Sequence, residues 1–492
     1  MHADVRKKTG GMPLKMQKHK FKMYARLFKK KSQILEEANE AAKAIGIPKE
    51  LKGQIGLYGG DSSVPKPLVK EIRRSVAEVQ KKTIKNKILL DQLREIVKDF
   101  YGDMYDAVPV STCEAGLWIA FDVLVSPPFQ GRGQSYRGRY IVPYERVLRY
   151  HGAFGRPFPP KYKDLYTDRG VESGQFGFSG KILCDLDTII VPLIGAKYEP
   201  HGIKYYTATL LSKVDPKASA KEMEEVARRH APFLTAFCSL GYDTPGYGYG
   251  IKDERGTPLL QKLIGKLADE FDVPYITDNA MGVPVFGTDL RKTGADLILY
   301  SMDKSLAPTS GLIIGKEDLM VQIRRALGMT SPGKAAYTFA DAGKDAIAGQ
   351  IAMLKMLRDK PKEILKPIDE LYKIVIDEFD GIEPHLKEGI IISKSINTRG
   401  VEIDYEGTWK DGEFGIPIFS AEDSVFGTNL IVLALKRMGI LPSITYDGNL
   451  WIDPGQGTTD DEGQLIEKRM RMAVRGLVKS LEIVSKWAGI IK

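Results

Sequence analysis

Between Ala107 and Gly315 short apolar runs alternate with helical stretches: VPVST, RYIVPY, TIIVPL, FLTAFCSL, VPYITD, ADLILYS and SGLIIG. Each run is rich in β-branched or aromatic residues and is bounded by Gly, Pro or polar residues, the mark of a strand. Strands that alternate with helices predict a mostly parallel sheet covered on both faces. Upstream, Phe21, Tyr24, Phe28, Leu35, Ala38 and Ala42 recur at helical spacing, with Gly46 and Pro48 as a stop. A glycine-rich segment, 53–60, leads into one helix ending near Val79 and a second over Ile88 to Phe100. From Ser126 to about Leu186 a Gly-, Pro- and Tyr-rich stretch interrupts the rhythm, and part of it reads as an insertion near the active-site mouth or an oligomer contact. Beyond about Asp341 long helical segments precede GIIISKSIN, VEIDYEG and NLWIDP, and a helix from Glu462 to about Ala488 closes the chain.

This pattern predicts an α/β architecture in three parts. Residues 1–50 form a basic arm and helix, 51–340 a large α/β domain with an insertion at about 126–186, and 341–492 a smaller C-terminal α+β domain.

Composition narrows the function classes. The formal charge is +9, but residues 1–31 hold eleven Lys or Arg against the single acid Asp4, so the arm carries +10 and the remainder −1. RNA is therefore a candidate partner of the arm alone, and a solvated extension is the plainer alternative. No apolar run has the ~18 residues of a membrane span, and no leader pattern follows the first lysines, so a cytoplasmic protein with no membrane association is expected. Cys113, Cys184 and Cys238 form no CxxC pair and the six histidines do not cluster, which argues against disulfides and metal.

Three elements then occur in an order that a single pyridoxal phosphate (PLP) pocket would require. The first, Ser111-Thr112-Cys113-Glu114, stands where a strand gives way to a helix, so that N–H groups and a hydroxyl face an anion such as a phosphate. A plain helix cap by Ser111 or Thr112 is the alternative. The second, Asp278, ends the strand VPYITD. There a carboxylate can hold a pyridine nitrogen protonated or cap the next turn. The third, Ser301-Met302-Asp303-Lys304, closes and follows the strand ADLILYS, with Lys304 26 residues after Asp278, about the length of one helix and one returning strand. A partly desolvated Lys304 could form a Schiff base, and Ser301 could offer its hydroxyl to the phosphate. No HExxH, GxSxG or GxxxxGK[ST] is present, and Gly131-Arg-Gly-Gln and Gly246-Tyr-Gly-Tyr-Gly lack the strand-to-helix setting of a nucleotide loop.

The segment ADLILYSMDKSLAPTSGLIIGKEDLM resembles the lysine region of bacterial selenocysteine synthase (seryl-tRNA selenium transferase) and its relatives, with Leu306, Pro308, Gly311, Gly315 and Lys316 in register. Tyr140-Ile-Val-Pro, Gly152-Ala-Phe154, STCEAG and TDNAMG extend the resemblance over about residues 55–330. It implies a PLP-dependent transferase-like three-layer fold (fold type I), with Lys304 and Asp278 catalytic. Elimination or replacement at the β-carbon of an amino-acid-like substrate is the implied reaction, with transamination as the enzymatic alternative and an RNA-associated or scaffolding protein as the non-enzymatic one. Ala280 would face the ring on one side and His151 or Arg146 on the other. Enzymes of this fold often carry a carboxylate-binding Arg in the late strand; here that strand reads NLWID, and Arg399 is the nearest substitute. A homodimer or higher homo-oligomer is implied too, in which Thr309 or Ser310 reaches the neighbour's phosphate.

Overall fold

The computed structural model describes residues 27, 29–59, 64–125, 138–144, 203–209, 215–241, 251–327, 340–387, 390–404, 427–442, 444–446, 449–489 and 491–492. In chain order, the elements used below begin with α1 (Lys31–Ile45), β1 (Ile55–Gly56), α2 (Lys70–Gln80), α3 (Asn86–Tyr101), β2 (Tyr105–Val110) and α4 (Cys113–Ala120). They continue with β3 (Gly138–Tyr144), β4 (Ile203–Thr209), α5 (Pro216–His230), β5 (Leu234–Leu240), α6 (Leu259–Phe271), β6 (Tyr275–Asp278), β7 (Leu297–Ser301) and β8 (Gly311–Lys316). The remainder are α7 (Lys344–Asp359), α8 (Pro361–Asp380), β9 (Ile391–Ser395), β10 (Gly400–Asp404), α9 (Gly427–Met438), β11 (Ile440–Leu441), β12 (Ile444–Tyr446), β13 (Asn449–Ile452) and α10 (Glu467–Ala488).

Seven strands form the main sheet in the order β2-β8-β7-β6-β5-β3-β4. All neighbours pair parallel except at β8, which runs against both β2 and β7. The turn from β7 to β8 spans only 302–310, too short for a crossover, so the chain has to return antiparallel. Consecutive residues of β6 and β7 are all buried, so both faces of the sheet are covered. The strand RYIVPY lies inside the stretch read as an insertion yet is β3 of this sheet. The rest of that stretch, and TIIVPL just beyond it, lie outside the described residues.

Helix formation follows the apolar spacing. In α3 the buried set Leu89, Leu93, Ile96, Val97 and Tyr101 repeats at helical intervals, and Gly102, at φ +94°, ends the helix. Helix α4 is buried nearly all round, as a helix inside a core must be.

The C-terminal part is a four-stranded antiparallel sheet, β12-β13-β10-β9, with α8 packed on it and α10 beyond. Helix α7 packs on α2 and α3, whereas α1 packs on α9 and α10 and β1 pairs with β11. The chain therefore enters through the C-terminal part before building the main sheet. Trp451 in β13 and Tyr275, Tyr300 and Phe237 in the main sheet are among the largest fully buried side chains.

Candidate functional site

Strand register brings the sequence-predicted groups to one edge. Leu240 pairs with Asp278 and Asp278 with Leu299; Ser301 pairs with Gly311 and Gly311 with Val110. The C-terminal ends of β2, β5, β6 and β7 thus coincide, which is where ligands bind in open α/β sheets. Ser111–Glu114 follows β2, Asp278 ends β6, and Lys304 follows β7.

Lys304 closes a one-turn 3-10 helix, Met302–Lys304. That turn is fixed by Met302 N–H donating to Ser310 O (2.8 Å) and by Ser305 and Ala307 N–H groups donating to Met302 O (3.1 and 3.2 Å). The Ser301 hydroxyl donates to Asp303 Oδ1 at 2.5 Å, so it orders the lysine turn, where the sequence suggested a phosphate contact. Lys304 is half-buried.

Asp278 is 1% exposed. Its Oδ1 accepts from the Ala280 N–H at 2.9 Å, the local capping bond that was the alternative reading. Two buried thiols, Cys113 and Cys238, sit near enough that burial first and the Asp278 carboxylate second push both well above the usual thiol range. Lys304, Glu114 and Asp303 also bear on Cys113, so the three motifs share one electrostatic neighbourhood. Cys238 is fully buried in β5.

Thr112 is the N-cap of α4, its Oγ1 accepting from Ala115 N–H at 3.0 Å. Thr112 and Glu114 are exposed and Ser111 is half-buried. Gly311 lets β8 press against this turn: a Cβ there would come within 2.6 Å of Cys113 N and of Thr112 C and O. Any larger residue would displace the turn.

Facing the Lys304 turn stands a second group, in which Arg399, the carboxylate-binding candidate of the sequence, is joined by residues that no motif pointed to. Arg399, at φ +53°, ends a turn over 396–399 in front of β10. The turn is locked to the sheet edge by a reciprocal amide pair: Asn279 Nδ2 donates to Asn397 Oδ1 (3.0 Å), and Asn397 Nδ2 donates to Asn279 Oδ1 (2.9 Å) and Gly241 O (2.8 Å). Arg399 is 3% exposed, and its Nε donates to Ile364 O at 3.2 Å. Its terminal nitrogens have no partner among the described residues. The side chain lines a cleft of about 390 Å³ whose wall includes Leu306, two residues beyond Lys304.

Beside it Lys66 donates to the Lys304 carbonyl oxygen at 3.4 Å and pairs with Asp453 at 3.7 Å. Lys66 stands in a Pro-Lys-Pro stretch that carries no periodicity, and Asp453 shows in the sequence only as the end of NLWID. Neither could be placed without the fold.

Ser310 is buried and committed within its own chain, donating to Pro308 O (2.8 Å) and accepting from Gln350 Nε2 (3.0 Å). This corrects the expectation that it reaches a neighbour; Thr309 is exposed. Arg146 and His151 lie outside the described residues, as does most of the basic arm. Among the described residues no group of three or more His, Cys, Asp or Glu could hold a metal ion, and no helix is long and apolar enough to cross a membrane.

No protein-family model matches the chain, and no curated protein matches its sequence. Solved structures do match by fold. A thermostable omega transaminase mutant from Pseudomonas jessenii is 11% identical, the match covering 85% of this chain and 86% of that one at a TM-score of 0.53. A transaminase from directed evolution by ancestral reconstruction is 14% identical over 86% of each chain, at a TM-score of 0.51. The adenosylmethionine-8-amino-7-oxononanoate aminotransferase of Methanocaldococcus jannaschii is 14% identical over 86% of this chain and 87% of that one, at 0.50. The chain has the fold of these transaminases: a mixed, mostly parallel α/β sheet with a smaller C-terminal α+β part.

Proposed function

We propose that this chain is a PLP-dependent enzyme acting on an amino-acid-like substrate. The observation that carries the reading is the convergence, at one sheet edge, of a 1%-exposed carboxylate, a half-buried lysine and the N-terminus of a buried helix. The donor set fits the cofactor. Asp278 can accept from a protonated ring nitrogen, Lys304 can hold the group covalently through its amine, and the Ser111–Glu114 turn offers N–H groups and hydroxyls to a phosphate. Ala280, half-buried beside Asp278, would lie against the ring. When bound, PLP supplies an electron sink for charge developing at the substrate α-carbon.

The chain's own residues divide the remaining work. Lys304, once its amine is free, takes or returns the α-proton. Asp278, held from solvent, keeps its charge directed at the ring nitrogen. Arg399 seats the substrate carboxylate, because its buried guanidinium lines a cleft and its terminal nitrogens find no partner among the described residues, a set of hydrogen bonds that a carboxylate would complete.

The resemblance of residues 295–320 to selenocysteine synthases supports elimination or replacement at the β-carbon. Transamination is the alternative on the same site. A homodimer with Thr309 toward the second copy belongs to the same proposal.

Borohydride reduction of the purified protein followed by peptide mass mapping should fix cofactor mass on Lys304. Amino acids carrying a β-leaving group should then yield a 2-oxo acid while the cofactor keeps its aldehyde form; accumulation of the amino form would favour transamination. A protein that takes up no PLP, with Lys304→Ala behaving as wild type, would overturn the reading in favour of a scaffolding role.

A further inference from the structure

The charges that face the Lys304 turn form a buried set whose logic goes beyond anchoring one carboxylate. The side chains of Lys66 and Asp453 are 6% and 5% exposed. The Lys66 stem threads between Gly59 and Gly455, where an added Cβ would come within 2.8 and 2.9 Å of its Cδ. Asp453 also accepts from the Gly59 N–H. Arg399 approaches from the turn before the neighbouring strand: a Cβ on Gly400, the next residue, would stand 3.3 Å from Asp453 Cβ. The Asp453 charge is felt at Arg399, opposing the lowering that burial imposes. Even so, Asp453 is ion-paired with Lys66, and Arg399 lines the cleft with no partner for its terminal nitrogens among the described residues.

We propose that Lys66 is a positioning residue: by occupying Asp453, it keeps the Arg399 guanidinium open to the substrate's carboxylate. A buried carboxylate stripped of its partner is strongly destabilising. The nearest repair is for Arg399 to turn from the cleft onto Asp453 in a close arginine–carboxylate pair. Asp453 then competes with substrate for one guanidinium, and the charge on Lys66 decides the contest.

The groups facing Lys66 are Asp453 at the end of β13, Arg399 before β10 and Asp303 in the lysine turn. Burial lowers Lys66 to about 8, with Arg399 adding to the lowering and the two carboxylates opposing it. Carboxylate affinity in the wild type should therefore fall as pH rises through about 8, where Lys66 loses its proton and releases Asp453.

The inference rests on the reading of Arg399 as the carboxylate anchor. It is tested by titrating the full-length, PLP-loaded protein with L-alanine, following cofactor absorbance, alongside crystal structures of the same variants without cofactor. Lys66→Met should weaken L-alanine roughly tenfold or more. Adding Asp453→Asn to Lys66→Met should restore the affinity, and Lys66→Arg should bind as wild type without the loss at high pH. Equal impairment of the single and double variants would show a merely structural role and overturn the proposal, as would wild-type binding by Lys66→Met. If the wild type takes up no PLP or binds no L-alanine, the functional reading fails. The cofactor-free Lys66→Met structure still decides the clamp: Arg399 paired with Asp453 supports it, and an unmoved Arg399 overturns it.

Discussion

On the sheet side of the Lys304 turn, every proposed group ends a strand whose own composition announces it: Thr112 after YDAVPV, Asp278 after VPYIT, Lys304 after LILYS. On the facing side, Lys66, Arg399 and Asp453 come from a Pro-flanked segment, a four-residue turn and the exit of a short strand, and they meet only when the C-terminal part closes on the main sheet. The first side is assembled from local signals repeated at one edge, and hydrogen bonds within each loop hold it. The second depends on ion pairs and amide bonds across the fold. Function placed on the second side is therefore easier to perturb without losing the cofactor pocket.

Removing the reactive group of the first side is expected to have the largest effect. Lys304→Ala should abolish covalent cofactor attachment and lower kcat by about 10²–10⁴. The melting temperature should stay within a few degrees, since the turn is held by backbone bonds that alanine keeps. Steady-state kinetics with differential scanning calorimetry checks both halves. A parallel collapse of stability would show that the lysine is structural.

A smaller loss should come from the second side. Asn397→Ala removes the amide pair that docks the Arg399 turn and strips the buried Asn279 side chain of that partner, while Gly241 O keeps the Thr288 hydroxyl. It should cost about 1–3 kcal/mol of stability and raise KM for carboxylated amines more than it lowers kcat. Urea unfolding and kinetics on one preparation test the contrast, and an effect on kcat alone would break it.

Least of all, Thr112→Ala should cost about 1 kcal/mol through the lost helix cap, with Thr112→Ser near wild type. If the turn also seats the phosphate, alanine should loosen PLP measurably in equilibrium dialysis. Unchanged retention would leave Thr112 as a cap only.

Much of the main sheet was legible because a strand buried on both faces must be written as a continuous apolar run. The antiparallel return of β8 was not, since SGLIIG reads the same in either direction and only the length of the connection before it sets the sense. Ser301 shows the same division: its place beside the lysine is plain in the sequence, but its commitment to Asp303 depends on a rotamer inside a folded turn. The family resemblance points Thr309 or Ser310 toward a neighbour, and nothing in the sequence around Ser310 signals Gln350, forty residues on, which holds it.

By itself the sequence determined the alternation of strands and helices, the order of Thr112, Asp278 and Lys304, and the concentration of positive charge in the first 31 residues. These are properties of composition and period, which a chain carries before it folds. Only the tertiary structure decided that Lys66 would face Asp453 and that Arg399 would line a cleft walled in part by Leu306. Charge pairing in a buried place depends on which segments exclude water together, and residues hundreds of positions apart encode that only through the packing between them.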